Sequence, residues 1–423
     1  MEKFIKKKLG NGMRIILVPE KNTDVFTVLL MVGTGSKYEK EEEAGISHFL
    51  EHMFFKGTKK RPSPREISEP LDSIGGIYNA FTSQEFTGFY VKVTLKQKNL
   101  ALDWMADIFF NSLFLEKEIE KEKGVVIEEL NMINDDPMKK IQILWPKLLY
   151  GNQSAGRPII GKKETIKNFT REMILKYKRE QYVAQNLILG VSGNFDKKEI
   201  LEKIEKYFKK AKPGKKRERP KLIENQKKPE ILLEERKVDQ SHLILGTRGV
   251  NLFDERKYIQ EVLATVLGGM MSSRLFQKIR EEMGIAYYIF SESHSDLDSG
   301  YLSISAGLKL EETKRGIKEI LEEFKKIKKA GISKKELKKA KENIKGKFDI
   351  FFESPENRLN FYVLQELLEN RILTKKQFFE KIEKVTLGQI KKFAEKFFSS
   401  NNLNLALIHP YLEKKELEEI LKI

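Results

Sequence analysis

The sequence contains no cysteine, only two tryptophans, and five histidines among 423 residues. Without thiols, a disulfide framework, a thiolate nucleophile, a cysteine-ligated zinc and an iron–sulfur cluster are all excluded. A transition metal must then be held by His, Asp or Glu, and the available imidazoles are His48, His52, His242, His294 and His409. No apolar run approaches the roughly 18 residues needed to span a bilayer. The basic start, MEKFIKKKLGNGM, lacks the apolar stretch of a secretory signal. The expectation is a cytoplasmic protein with no membrane partner. A phosphate loop is missing too: Gly33-Thr-Gly-Ser-Lys37 does not have the GxxxxGK[ST] spacing and reads as a loop leaving a strand.

A hydrophobic fraction of 40% beside 33% charged residues provides a sizeable core under a charged surface and excludes a disordered chain. The net charge, 79 − 62 = +17, invites a nucleic-acid reading, so its location matters. Residues 206–228 hold eleven Lys or Arg and two Glu, a local +9, and the other 400 residues share +8. This Pro- and Gly-containing stretch has no aromatics interleaved among its cations beyond Tyr207 and Phe208 at its start and reads as a solvated linker, with no nucleic-acid partner expected.

On either side of it the order of features repeats. Asn186-Leu-Ile-Leu-Gly-Val recurs as Asn402-Leu-Asn-Leu-Ala-Leu 216 residues later, and Gly88-Phe-Tyr-Val-Lys-Val as Gly300-Tyr-Leu-Ser-Ile-Ser after 212. Alternation at Phe89, Val91, Val93 and Leu95 predicts a half-buried strand. A period of 3.6 residues predicts helices over 98–111, 256–268, 311–329 and 334–349. The expected fold is α+β: two homologous halves, each a mainly antiparallel sheet with helices on one face. The expected domains are 1–211 and 231–423, joined by a basic linker at 212–230.

The strongest signal is Ala44-Gly-Ile-Ser-His-Phe-Leu-Glu-His-Met-Phe-Phe-Lys. Ile46, Phe49, Leu50, Met53 and Phe54 form the apolar stripe of a helix. His48 and His52, four residues apart, bring their imidazoles one turn apart, where both can chelate one metal. Glu51 adjoins them and can reach a metal-held water without ligating. At this composition, chance predicts HxxEH roughly 0.006 times in the chain. Two His leave a catalytic zinc one protein ligand short, and without Cys a carboxylate is the natural third. In the Glu-rich helix 115–133, Glu122 and Glu129 share the apolar stripe of Ile119, Val126, Leu130 and Ile133, whereas Glu118 and Glu128 do not. Periodicity leaves open which of the two binds, or whether Glu122 merely edges a solvated face.

Taken with Gly76-Ile-Tyr-Asn-Ala-Phe-Thr-Ser, Gly124-Val-Val-Ile-Glu-Glu and Arg280-Glu-Glu-Met-Gly-Ile-Ala-Tyr287, these residues resemble the pitrilysin/insulinase family of zinc peptidases across essentially the whole chain. The nearest branch is the half-length one of the mitochondrial processing peptidase subunits and their bacterial relatives. The resemblance implies Zn2+ held by His48, His52 and Glu129. It makes Glu51 the general base on zinc-bound water and Glu122 the carboxylate supporting the site. It places substrate main chain on Asn79 and Ala80, a pocket wall at Phe55, and a substrate-holding pair at Arg280 and Tyr287. It further implies an endopeptidase acting on unfolded polypeptides or peptides inside a closed chamber, formed here by a homodimer. The alternative within the same family is a catalytically silent or heteromeric processing subunit.

Overall fold

The computed structural model describes residues 4–421. The chain forms two compact units.

The first unit is built on a six-stranded sheet in the order β1-β2-β6-β3-β5-β4, namely Ile5–Lys8 (β1), Arg14–Pro19 (β2), Val25–Val32 (β3), Ile77–Thr82 (β4), Thr87–Thr94 (β5) and Leu187–Gly193 (β6). Only β2 and β6 run parallel. The central β3, VFTVLLMV, is apolar at nearly every position, so both of its faces need cover. On one face Val28 and Leu30 lie opposite Val91 and Phe89, and helix Lys98–Asn111 closes over them, with Phe89 and Phe109 ring centroids 6.0 Å apart. On the other, Ile16, Val18, Leu29, Met31 and Ile188 pack against Leu359, Tyr362 and Val363 of helix Pro355–Leu368. Gly190 allows that approach: a Cβ there would lie 2.7 Å from Val363 Cγ2. The buried Glu366 ties the helix down, 2.7 Å from Lys6 and 3.3 Å from Arg14.

The second unit repeats the plan as β7-β11-β8-β10-β9, with Glu230–Glu235 (β7), Ser241–Arg248 (β8), Ala286–Ser295 (β9), Gly300–Leu308 (β10) and Leu403–His409 (β11). Strand for strand this is β2-β6-β3-β5-β4, down to the single parallel pair, here β7 with β11. The repeat seen in sequence is thus a repeat of topology. Helix Lys257–Gly268 packs along β9. The opposite face, Ile244, Ala406 and Ile408, is covered by Ile141, Leu144, Trp145 and Leu149 of helix Pro137–Tyr150.

The units are not the contiguous halves expected from sequence. The first gathers Arg157–Pro220 and Ile350–Leu373 onto the N-terminal stretch ending at Asn131, and the second takes Met132–Gly156 from the N-terminal half. The reason is the second face of each sheet. Helices Pro137–Tyr150 and Pro355–Leu368 occupy equivalent places, each opened by an N-capping side chain (Asp136, Ser354) and a proline in its first turn, and each covers the sheet of the opposite half. Helices therefore lie on both sheet faces. The basic segment also departs from a solvated linker. Within the first unit Arg217 pairs with Glu43 and Glu180, and Lys216 donates to the Gly33 carbonyl at 3.2 Å. Within the second, Gln226 donates to the Leu403 carbonyl at 3.0 Å. Its cations are partly spent on pinning it. Among the described residues no helix is long and apolar enough to cross a membrane.

Candidate metal centre

The HxxEH segment forms helix Ile46–Met53, entered through Gly45 at φ 95°. Only glycine suits this left-handed residue, and a Cβ would also lie 2.6 Å from the Ile160 carbonyl oxygen. The helix has no capping side chain of its own. Instead the buried Glu39 accepts from the Gly45 and Ser47 amides at 2.8 and 2.9 Å. Burial drives the Glu39 carboxyl up to about 7, against the pull of those two amides. Ser47 Oγ meets the Tyr177 hydroxyl at 2.8 Å behind the helix. The helix is held at a fixed depth.

From it, His48 and His52 project side by side, ring centroids 4.7 Å apart. Helix Glu116–Asp135 supplies Glu129, whose Oε2 lies 3.7 Å from both Nε2 atoms. One donor atom from each of the three residues falls within 4.8 Å of the others, and among the described residues no other group of three His, Asp or Glu converges so. Two donors around a tetrahedral zinc lie about 3.4 Å apart, so the set fits a small divalent ion with little movement. Burial, and then the neighbouring His52, push the His48 imidazole down to about 4 and keep it in the neutral form that ligates.

Glu122 lies outside the converging set. It is 2% exposed, its Oε1 accepts from His52 Nδ1 at 2.8 Å, and Lys56 Nζ lies 2.6 Å from its Oε2. It therefore stands behind the imidazole, outside the converging donors, and turns His52 Nε2 toward them. Burial raises its carboxyl, but the hydrogen bonds from His52 and Lys56 outweigh burial and hold it below the ordinary range. Glu51 is also nearly buried, and Thr82 Oγ1 donates to its Oε2. Burial raises the Glu51 carboxyl; Thr82 and His52 oppose the shift and Glu129 adds to it.

Asn79 and Ala80 lie on β4, an edge strand paired only with β5. The Asn79 side chain accepts from the Ala80 amide at 2.8 Å. Phe55 stacks beside Tyr78, centroids 6.5 Å apart, with Trp104 at 6.1 Å. Arg280 and Tyr287 belong to the second unit. Arg280 sits in the π-helical turn Phe276–Glu282, its guanidinium 4.8 Å from the Phe276 ring centroid. Tyr287 is 73% exposed and is the extra residue of a β-bulge: Gly307 pairs with Tyr288 and Leu308 with Ala286. A π-turn and a bulge are local irregularities that re-aim side chains. Glu39, Lys56 and Thr82 were not singled out from sequence. Thr82 alone left a trace, through its two-residue spacing from Ala80.

The insulinase (peptidase family M16) model matches residues 14–163, and the peptidase M16 inactive domain model matches residues 168–344. A Bacillus subtilis protein described as the uncharacterized zinc protease YmxG is 39% identical over 406 residues, spanning 95% of this chain and 97% of that one. A protease from Helicobacter pylori superposes with TM-score 0.90 at 24% identity, covering 96% of this chain and 99% of that chain. A peptidase M16 inactive domain structure from Pseudomonas fluorescens gives 0.89 at 17% identity, over 97% and 98%. At those identities the two structures bear on the fold alone.

Proposed function

Because the chain belongs to the insulinase family, peptidase family M16, we propose that it is a zinc-dependent endopeptidase whose metal is held by His48, His52 and Glu129. The observation that carries this is the convergence of those three donors beside a nearly buried Glu51 that lies outside their set. A bound zinc ion supplies Lewis-acid polarisation of a carbonyl and makes water acidic near neutral pH.

The chain's own residues do the rest. Glu51 takes the proton from the attacking water and returns it to the departing amine, so one carboxylate serves both halves of the reaction. Its burial favours proton uptake, since a fully solvated glutamate is a weaker base. Glu122, anchored by Lys56, keeps the His52 proton on Nδ1 and its lone pair on Nε2. Substrate binds as an added strand on the free edge of β4, at Asn79 and Ala80, with main-chain bonds giving affinity and little sequence preference. That demands an extended, unpaired backbone, hence peptides or unfolded polypeptide. Phe55, beside Tyr78 and Trp104, forms the wall of a side-chain pocket. Arg280 and Tyr287, both exposed, hold substrate main chain. The assembly is a homodimer enclosing its substrate.

Cleavage of a casein-like unfolded protein, with and without chelator and with zinc restored, tests the reading. Loss and recovery of cleavage support it. Chelator-insensitive cleavage, or none at full zinc occupancy, contradicts it, the second outcome favouring the silent-subunit alternative.

A further inference from the structure

Thr82 is the last residue of β4, two residues beyond Ala80, so both side chains leave the strand on the same face. Its hydroxyl donates to Glu51 Oε2. Glu51 is nearly buried, and no other hydrogen-bond donor is seen on its carboxylate among the described residues. One oxygen of the carboxylate is thus fastened and the other left free. The fastener belongs to the edge strand and not to the helix that carries Glu51.

We infer that Thr82 is the positioning residue of the general base, and that the strand which receives substrate also sets the aim of Glu51. This rests on Glu51 acting as the base. A glutamate side chain has three rotatable bonds, and helix Ile46–Met53 fixes only where the first begins. With the Thr82 bond made, rotation about the terminal bonds is restricted and Oε1 keeps one direction. Without it, the carboxylate turns among several orientations, most of them unproductive. Misplacing a catalytic group by about 1 Å can cost a hundredfold in rate. The methyl of Thr82 plays no part in this, so serine must serve as well. Extension of a peptide along β4 would stiffen the strand end and sharpen the aim of the base only when substrate is present.

The test compares Thr82→Val, which keeps the shape, with Thr82→Ser, which keeps the hydroxyl, and with Glu51→Gln. Zinc content, kcat and KM on an unstructured peptide are measured for each, with the thermal midpoint of the metal-free protein. Expected for Thr82→Val are zinc content and KM near wild type, kcat down about tenfold to a hundredfold, and a midpoint lowered by about 2–4 °C for the lost bond to a buried carboxylate. Thr82→Ser should restore kcat to within about threefold of wild type. If Glu51→Gln is inactive and Thr82→Val keeps wild-type kcat, the positioning role is overturned while the base assignment stands. If Thr82→Ser is as slow as Thr82→Val, the effect belongs to strand packing and the inference also fails. An active Glu51→Gln would instead overturn the underlying reading.

Discussion

Replacing Glu122 by glutamine tests how the centre is held together. The carboxylate is buried at 2% exposure and makes two charge-assisted contacts, His52 Nδ1 at 2.8 Å and Lys56 Nζ at 2.6 Å. An amide preserves the volume but offers one acceptor where two are used, so either His52 or Lys56 meets an NH2 group. Only the His52 contact bears on the metal, because it sets the tautomer and basicity of Nε2. Losing such a partner costs about 10–100-fold in metal affinity, which is about 1.4–2.7 kcal/mol. Competition against a fluorescent chelator measures the zinc Kd, and circular dichroism checks that the fold persists. At saturating zinc, cleavage should recover most of its rate, since Glu122 touches neither substrate nor the attacking water in this account. An unchanged Kd would show that Glu122 does not support His52. So would a loss as complete as that of His52→Ala, which would make Glu122 a direct ligand.

Three further outcomes follow from the same geometry. Gly45→Ala places a side chain at φ 95° and 2.6 Å from the Ile160 carbonyl oxygen, so the metal helix must shift; zinc affinity and thermal midpoint should both fall, and a variant equal to wild type in both would contradict the fixed seat. Glu39 has its carboxyl raised to about 7 from an ordinary value of 4.5; its stabilising contribution is therefore complete below about pH 4.5, declines through the interval and is gone above about 7, a loss of about 3 kcal/mol. Urea midpoints of metal-free protein should fall more steeply across that window in wild type than in Glu39→Gln, and parallel curves would reject it. Leu359→Ala empties a fully buried position on the helix that caps the first sheet and should cost about 2–5 kcal/mol by denaturant unfolding; a cost under about 0.5 kcal/mol would show that the exchanged helix is dispensable.

Much of the site was legible because its elements are local. The four-residue spacing of His48 and His52 and the seven-residue spacing of Glu122 and Glu129 are properties of single helices, so periodicity alone placed each pair on one face. The strands at β5, β6, β10 and β11 showed through alternation and through the repeat. What stayed hidden is long-range. Helix Pro355–Leu368 is not among the helices expected from periodicity, and nothing in its sequence says that it covers β2, β3 and β6, more than 150 residues earlier. The basic segment looked solvated because its acidic partners, Glu43 and Glu180, lie far off in sequence. Thr82 and Lys56 lie outside the helical motif, and their chemistry exists only once β4 brings Thr82 to Glu51 and helix Glu116–Asp135 brings Glu122 to Lys56.

In the proposed reaction Glu51 moves the proton beside a metal that it does not bind. Glu51→Gln keeps the shape and removes the proton acceptor. Zinc content by atomic absorption and peptide cleavage by mass spectrometry, measured on the same preparation, should give about one zinc per chain and a kcat lowered about 10²–10⁴-fold. Cleavage above a tenth of the wild-type rate, or loss of the zinc along with the activity, would contradict it.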